Sequence, residues 1–396
     1  MSTWVGPGWD DVELGDIVTL HRGYDLPSSQ RRDGSIPVVS SSGITGFHSE
    51  AKVCPPGVVT GRYGTLGRVF FIDEPFWPLN TTLYVSDFHG NDERFVNYLL
   101  QCQNLGARDG ASAVPGVNRN VLHRLSVMRP PLGTQRKIAA VLSAYDDLIE
   151  NNNRRIKLLE EMAQRIYREW FVDFRYLGHE AVPMVDSEFG RIPEGWQWKF
   201  ASEAISINPK VAIARDASHP FIPMTSLSET GMHIEPLESR VGTSGAKFQN
   251  GDTLFARITP CLENGKTAFV QCLTESEVAT GSTEFIVLRS SLLSPELVYL
   301  LARSDAFRGH AMKSMSGATG RQRVREECFE RFPIPVPAGD LIQIFTDHVR
   351  PMFHLSFQLF LANRNLRQTR DLLLPRLISG EINVGDLDIA VPEAAP

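Results

Sequence analysis

Residues 135–174 read QRKIAAVLSAYDDLIENNNRRIKLLEEMAQRIYREWFVDF and contain the pattern that decides the fold. Spacings of four and three residues alternate without a break along Ile138, Leu142, Tyr145, Ile149, Asn152, Ile156, Leu159, Ala163, Ile166 and Trp170. This heptad pattern predicts one long helix, about 50 Å at 1.5 Å per residue, whose seam packs against another helix. We interpret Asn152, the one strongly polar residue in the seam, as a device that fixes the register.

A second, less regular copy of the pattern lies 207 residues further along the chain. Its positions are Phe345, Val349, Met352, Ser356, Leu359, Asn363, Leu366, Arg370, Leu373 and Leu377. Pro351 falls inside this predicted helix and is expected to kink or interrupt its first turns, because proline lacks the amide donor. We expect Leu374-Pro375 and Ser379-Gly380 to end the helix.

The rest of the chain also matches itself. Gly8-Trp9 returns as Gly195-Trp196, Ile36-Pro37 as Ile222-Pro223, and RLSVMRPP at 124–131 as RFPIPVPA at 331–338. The offset grows along the chain, so the second half carries about twenty additional residues in its loops.

The sequence therefore predicts an α+β fold with an internal pseudo-two-fold repeat of globular domains and long helices. The domains contain Gly and Pro turns and short β-like runs such as RVFFI and EFIVL. The predicted divisions are a globular domain at 1–134, a long helix at 135–178, a second globular domain at 179–339, a second long helix at 340–385 and a flexible tail at 386–396.

The two heptad helices most simply pair with each other. Because the first helix leads directly into the second domain, the economical closure is an antiparallel coiled coil with one domain near each end. Alternatively, each helix packs on its own domain, or both join a partner's bundle. Two related domains held apart in this way resemble dimeric DNA readers that engage half-sites one helical turn apart. The domains are not identical, so the implied ligand is asymmetric and has an unread spacer.

Composition argues for a folded intracellular protein and against binding nucleic acid by bulk charge. The 396 residues are 42% hydrophobic, and 40 Lys+Arg against 46 Asp+Glu give a formal net charge of −6. The five cysteines form no CxxC pair, which speaks against a zinc knuckle or a disulfide framework. No run approaches the roughly 18 apolar residues of a membrane span, and the start of the chain lacks a signal-peptide pattern. We expect a soluble, cytoplasmic protein with no membrane partner.

Catalytic signatures are absent from the sequence. It contains no GxGxxG, GxxxxGK[ST], HExxH or GxSxG motif, and neither Pro-Pro pair belongs to an Asn/Asp-Pro-Pro-aromatic loop. The ten histidines are scattered, with none three or four residues from another. We therefore predict no catalytic residue, no metal site and no cofactor on this chain.

Both halves carry polar and basic side chains on loops at matching places. We name these the Gly loop (110–120 and 316–325), the Arg turn (61–69 and 255–268) and the Ser segment (40–45 and 225–228). Arg reads guanine or clamps phosphate, Asn and Gln read adenine, and Gly lets backbone amides approach phosphate. Any single one of these residues could equally belong to an ordinary solvent-exposed loop. Because the loops recur at matching places in both halves, we favour contact with DNA. The candidates are Ser42, Thr45, Arg62, Tyr63, Thr65, Asn118, Arg119 and Asn120 in the first half, and Thr225, Ser226, Arg257, Lys266, Thr319, Arg321, Gln322 and Arg323 in the second.

Taken together, these features resemble the specificity subunits of type I restriction-modification systems. The resemblance covers about residues 8–385 and rests on PPLGT followed by the stretch quoted above, on LPRLISGEI at 374–382, and on the paired VPGVNR and TGRQRV loops. It implies two target recognition domains that each read one half of a bipartite, asymmetric double-stranded DNA site. The paired helices would act as a ruler for the spacer.

The resemblance also implies a non-catalytic subunit in a larger assembly. Two modification subunits would bind S-adenosylmethionine and methylate adenine, and restriction subunits would use ATP and Mg to translocate and cut DNA. The implied readers are Arg62, Tyr63, Asn118, Arg119 and Asn120 in one domain and Arg257, Lys266, Arg321, Gln322 and Arg323 in the other. Two other hypotheses are a coiled-coil scaffold with no DNA role, which the net charge favours, and a self-contained methyltransferase or nuclease, which no motif supports.

Overall fold

The computed structural model describes residues 8–103, 105, 116–234, 238–317, 320 and 322–392. The chain divides into two compact units. The first comprises Met1–Glu150 with Arg364–Pro396, and the second comprises Asn151–Asn363. Each unit contains one globular domain and a part of both long helices, so each is a complete α+β body.

The first unit is built on two sheets. Its strands are β1 (Asp10–Glu13), β2 (Thr19–Arg22), β3 (Ile36–Ser40), β4 (Gly43–His48), β5 (Gly57–Gly61), β6 (Val69–Ile72), β7 (Trp77–Pro78), β8 (Thr82–Asp87) and β9 (Ser126–Arg129), with helices α1 (Glu93–Cys102) and α2 (Arg119–His123). One sheet has the order β2-β8-β5-β6 and the other β4-β3-β7, while β1 pairs with β9. The long helix α3 (Leu132–Tyr167) follows β9.

The second unit repeats this plan with additional elements. Its strands are β10 (Met184–Val185), β11 (Ile192–Pro193), β12 (Gln197–Phe200), β13 (Ile205–Ile207), β14 (Ser218–Ile222), β15 (Glu238–Val241), β16 (Ala246–Phe248), β17 (Thr253–Ala256), β18 (Thr267–Phe269), β19 (Ala279–Gly281), β20 (Phe285–Ser290) and β21 (Pro333–Val336). Its helices are α4 (Ala201–Ala204), α5 (Pro295–Arg303), α6 (Asp305–Lys313) and the long α7 (Leu341–Ile378), which ends in the first unit.

The sequence repeat corresponds to a repeat of the sheets. The order β13-β20-β17-β18 matches β2-β8-β5-β6, and the β12–β21 pair matches β1–β9. Each unit also contains a parallel strand pair, with Val38 opposite Trp77 in β3–β7 and Phe221 opposite Thr280 in β14–β19. A parallel pair between two otherwise antiparallel strand sets is an uncommon feature, so its recurrence marks the two domains as copies of one plan.

Both long helices bury the seam that the heptad spacing predicts. α3 has 36 residues and α7 has 38. The predicted seam residues Ile138, Leu142, Ile149, Asn152, Val349 and Leu359 are buried, and Ile156, Leu159, Ile166, Leu366 and Leu373 are half-buried. No residue of this set is exposed, as a helix with one apolar stripe requires.

In the first unit, the start of α3 packs against the end of α7. Ile138 and Leu377 belong to one buried apolar cluster. Further along α3, the carboxylate of Asp146 accepts a hydrogen bond from Arg370 Nη1 at 2.5 Å. Higher numbers on α3 therefore meet lower numbers on α7, which makes the local direction antiparallel. The ion pair also explains how Arg370 occupies a seam position.

The second unit shows the same direction between the other ends of these helices. Asn152 Nδ2 donates to Asn363 Oδ1 at 2.9 Å, and both side chains are buried. In the π-helical turn after α3, the Trp170 ring lies 5.7 Å from the Phe345 ring between centroids. That the helices pair as one continuous coiled coil remains a prediction.

The interruption expected at Pro351 was wrong. α7 runs through both Pro351 and Pro375 and ends at Ile378, before Gly380 with φ +78°. Pro351 is exposed, and so is Asp347, the residue whose carbonyl loses its helical donor. Val349 and Phe353 on either side are buried and hold the helix in place. Packing therefore outweighs the local cost of the proline.

The tail predicted at 386–396 contacts the rest of the first unit where it is described, as far as residue 392, and its flexibility stays a prediction. Lys137 Nζ donates to the carbonyl oxygens of Gly385 and Leu387, at 2.7 and 2.8 Å. Ile389 packs against the buried cluster that contains Val384. These contacts involve backbone carbonyls and a distant lysine, so tail composition alone does not indicate them.

Candidate nucleic-acid interface

In the first unit the described part of the Gly loop, residues 116–120, contacts the Arg turn, although about 50 residues separate them. Val117 N donates to Arg62 O at 2.9 Å, and Tyr63 forms an antiparallel bridge with Gly116. A Cβ atom at Gly116 would lie 2.4 Å from Tyr63 Cε1. Glycine is therefore required at this position for the tyrosine ring to lie directly on the loop backbone.

The Ser segment adjoins the Arg turn in the same unit. The Arg62 guanidinium lies over the Tyr63 ring, 4.5 Å from its centroid. On the next residue, a Cβ at Gly64 would lie 3.2 Å from Ser41 Oγ. The structure thus brings Ser41 of the Ser segment and residues 116–117 of the Gly loop against the Arg turn. The candidates Ser42, Thr45, Tyr63, Thr65, Arg119 and Asn120 are exposed, and Arg62 is half-exposed.

Asn118 also has a structural role. Its side-chain oxygen accepts a hydrogen bond from Asn120 N at 2.9 Å, which caps the N-terminus of α2. The cap fixes the direction in which Arg119 leaves the Gly loop. Sequence spacing alone does not distinguish this capping role from a base contact.

The second unit joins its Gly loop to its Arg turn in the same way. Val324 N donates to Arg257 O at 2.8 Å, the counterpart of the contact between Val117 and Arg62. Two further contacts extend the join: Ile258 bridges Arg323, and Thr259 N donates to Gln322 O at 3.1 Å. The two halves therefore share a backbone framework and differ in the side chains mounted on it.

Carboxylates hold two of the predicted readers in the second unit. Arg323 forms a two-pronged ion pair with Glu284, with Nη2 to Oε1 at 2.7 Å and Nε to Oε2 at 2.9 Å. This partner raises the pKa of Arg323 above its ordinary value. Arg257 has a longer contact, Nη1 to Glu326 Oε2 at 3.4 Å. Sequence spacing does not point to Glu284, because this residue lies 39 positions from Arg323 and only strand pairing brings the two together.

The remaining candidates of the second half occupy different settings. Lys266 Nζ donates to Met224 O at 3.3 Å, which ties the Arg turn to the 3-10 turn Met224–Ser226. Within that turn, Thr225 is exposed and Ser226 is half-buried, while Gln322 is half-buried beside the Arg turn. Thr319 and Arg321 lie outside the described residues.

One buried cluster contains the residue types of a hydrolase triad but not its geometry. Ser356 Oγ lies 2.7 Å from His233 Nε2, and Glu160 Oε1 lies 4.0 Å from the same nitrogen. In a catalytic triad the carboxylate instead orients the opposite ring nitrogen. Ser356 is fully buried, and burial lowers the pKa of His233 to about 4 and raises that of Glu160 to about 7. We interpret this cluster as part of the core.

The described residues offer neither a metal-binding cluster nor a membrane-spanning helix. In the part of the chain that the structure describes, no group of three His, Cys, Asp or Glu side chains could hold a metal ion. Over the same residues, every helix is either too short or too polar to cross a bilayer. The five cysteines are free thiols.

Known proteins are similar to this chain in sequence and in fold. Residues 7–161 match the family model described as the type I restriction modification DNA specificity domain. The chain is 26% identical over 416 residues to the type I restriction enzyme MjaIX specificity subunit of Methanocaldococcus jannaschii, covering 96% of this chain and 94% of that protein. Residues 7–161 are thus a type I restriction-modification DNA specificity domain. The resemblance drawn from residues 130–174 is thereby confirmed.

Two further known proteins are similar to this chain, one in sequence and one in fold. The chain is 32% identical over 185 residues to the EcoEI specificity subunit of Escherichia coli, a match that spans 45% of this chain but only 30% of that relative. Its fold matches the crystal structure of the type I S subunit from M. genitalium, with a TM-score of 0.59 over 96% of this chain and 97% of that chain, at 14% identity. The predicted plan of two globular domains, each followed by a long helix, is confirmed.

Proposed function

We propose that this chain reads a bipartite, asymmetric double-stranded DNA site, with one half read by each unit. The observation that carries the proposal is the repeated join of Gly loop and Arg turn, from Val117 N to Arg62 O and from Val324 N to Arg257 O. In each unit this join assembles polar and basic side chains on one surface, as base reading requires. Because these side chains differ between units, the two half-sites differ in sequence.

In this proposal the chain directs other subunits to the site and performs no chemistry of its own. Two modification subunits, which bind S-adenosylmethionine, methylate adenine, and restriction subunits that use ATP and Mg translocate and cut DNA. The assembly works in the cytoplasm, where the host DNA lies. The absence of catalytic motifs and the non-catalytic geometry around His233 support this division of labour.

The spacer between the half-sites is set by the long helices. α3 has 36 residues, which corresponds to about 54 Å of helix. In the proposal α3 and α7 pair along their whole length as an antiparallel coiled coil. The buried seam and the antiparallel contacts within each unit support this pairing.

The ion pairs of Arg323 and Arg257 favour selective reading of DNA bases over non-specific attraction to the DNA backbone. Glu284 already satisfies Arg323, so a DNA group must offer equal or better acceptors to draw this guanidinium away. A guanine edge with two acceptors meets that condition. The overall charge of −6 likewise leaves bulk phosphate affinity to the partner subunits.

The test is selection from randomised duplexes by the complex of this chain with its modification subunits. The expected result is nanomolar binding to a two-part motif with a fixed spacer. Arg323→Ala should relax one half of the motif at about 1–3 kcal/mol per lost base contact, whereas Arg331→Ala, an exposed arginine outside the named loops, should not. Absence of any sequence preference overturns the proposal. Indifference to Arg323→Glu favours the scaffold alternative.

A further inference from the structure

A cleft of about 460 Å³ in the second unit gathers three cations. Lys210, Lys247 and Arg257 line it, and among the described residues no Asp or Glu contributes to its wall. The rest of the wall is neutral and includes Gly245 and Thr283. In a chain of net charge −6, such a concentration of positive charge calls for an anionic ligand.

The cations of this cleft are poorly neutralised by the protein. Neither the Lys210 nor the Lys247 ammonium group forms a hydrogen bond or an ion pair with another described residue. The Arg257 guanidinium has the 3.4 Å contact with Glu326, and its Nε is buried without a partner among the described atoms. Arg323 differs in this respect, because both carboxylate oxygens of Glu284 accept hydrogen bonds from its guanidinium. The cleft therefore has unused capacity for an anion.

The fold holds these side chains on fixed supports. Lys247 lies in β16, where it pairs with Thr280 of β19. Lys210 follows Asn208, whose Oδ1 accepts from Val287 N at 2.9 Å and whose N donates to Val287 O at 2.8 Å. These two hydrogen bonds anchor the segment to β20. The cleft is thus built by the sheets rather than by loops alone.

The cleft is continuous with the surface proposed to read bases. Arg257 lines it and also accepts the hydrogen bond from Val324 of the Gly loop. Thr283 lines it too, and the next residue, Glu284, holds Arg323. A DNA strand read by the Gly loop would therefore pass beside the three cations.

The first unit places its corresponding cation differently. The bridge of Val53 with Phe76 in the first unit corresponds to the pairing of Phe248 with Ala279 in the second. Lys52 and Lys247 directly precede Val53 and Phe248, so they occupy corresponding positions. The Lys52 ammonium lies over the Trp77 ring, 4.8 Å from its centroid. The first-unit counterpart of Lys247 is therefore engaged by an aromatic ring.

We propose that this cleft binds a phosphate of the DNA backbone next to the second half-site, with Lys210 and Lys247 as its ligands beside Arg257. The inference rests on the proposed function, since it requires DNA to lie on the Gly loop. A phosphate contact contributes affinity and register without reading sequence. It also contributes to the salt dependence of binding, by about 0.9 in the slope of log K against log[salt] per neutralised phosphate charge.

The test compares Lys210→Gln/Lys247→Gln with wild type and with Lys199→Gln, a control lysine in β12 outside the cleft. Each chain is assembled with the modification subunits and titrated with cognate and scrambled duplexes between 50 and 200 mM salt. Removing both lysine ligands of this one phosphate should lower the slope by about 0.9, so the affinity deficit should be about 3.5-fold larger at the low salt than at the high. The loss should be equal for both duplexes, and Lys199→Gln should match wild type.

A second arm removes charge from the DNA. A methylphosphonate at the contacted phosphate of the cognate duplex should weaken binding of wild type but not of the double variant. An unchanged salt slope, or a loss confined to the cognate duplex, overturns the phosphate assignment. A wild-type complex that does not distinguish cognate from scrambled duplex overturns the proposed function instead, so the two failures are distinguishable.

Discussion

The side-chain amide of Asn152 donates to Asn363 Oδ1 at 2.9 Å inside the second unit, where both residues are at most 3% exposed. Asn363 Nδ2 in turn donates to Asn153 Oδ1 at 2.9 Å. A buried amide pair in an apolar seam contributes little net stability. It penalises every register that separates the two amides.

Removing one member of this pair should therefore cost more than removing both. Asn363→Ala leaves the Asn152 amide buried without this partner and should lower the free energy of unfolding by about 1–3 kcal/mol. Asn152→Leu/Asn363→Leu should be near neutral or stabilising. Urea unfolding of the chain measures both, with Asn365→Ala at an exposed α7 position as control. Equal stability of Asn363→Ala and Asn365→Ala would exclude the register role.

Glu160 should make stability depend on pH. Burial raises its pKa from the ordinary 4.5 to about 7, against the opposing effects of Met232 N and Arg303. Between these values the folded protein holds the proton and the unfolded chain does not, so this contribution is fully present below about pH 4.5 and lost as pH rises through 7. The lowered pKa of His233 acts in the opposite direction between about pH 4 and 6.5.

Glu160→Gln isolates the carboxyl contribution, because the amide oxygen still accepts from Met232 N and His233 is unchanged. The stability gain of this variant over wild type should be larger at pH 8 than at pH 5 by on the order of 2–3 kcal/mol. Chemical unfolding at the two pH values measures it, and Glu161→Gln, an exposed neighbour on α3, is the control. A gain of the same size at both pH values would contradict the buried, protonated state.

Gly116→Ala should damage reading of the first half-site with little effect on folding. The new Cβ would fall 2.4 Å from Tyr63 Cε1, so the ring and the Arg turn must move. Gly133→Ala in α3 meets nothing within 4 Å and is the matched control. Binding by the assembled complex to duplexes altered in one half at a time reports the change. Unaltered preference in both halves would show that the join of these loops does not position the readers.

Lengthening the helices should lengthen the spacer. One heptad inserted in α3 with a matching one in α7 adds about 10 Å, near three base pairs at 3.4 Å each. Selection from randomised duplexes should return the same half-sites with a longer spacer. Altered half-sites would contradict the ruler, and failure to assemble with modification subunits is detected separately by gel filtration.

Local sequence periodicity predicts more of the fold than of the candidate site. The alternating spacing from Ile138 to Trp170 predicts α3, and the repeat predicts the second domain, because both are properties of sequence neighbours. The predicted helix interruption at Pro351 was wrong, because the burial of Val349 and Phe353 outweighs the free-energy cost of a proline inside a helix. The contacts of Glu284 with Arg323, and of Lys210 with its cleft, depend on strand pairing between distant segments, which periodicity does not encode.

The most direct test of two-domain reading is a map of methylated adenines in host DNA, made with and without this chain and with a variant in each unit. Wild type should give one bipartite, asymmetric motif that disappears when the chain is deleted. Tyr63→Ala should relax one half of the motif only, and Arg323→Ala the other half only. A motif that persists without the chain, or a single-unit variant that alters both halves, would contradict reading by two separate domains.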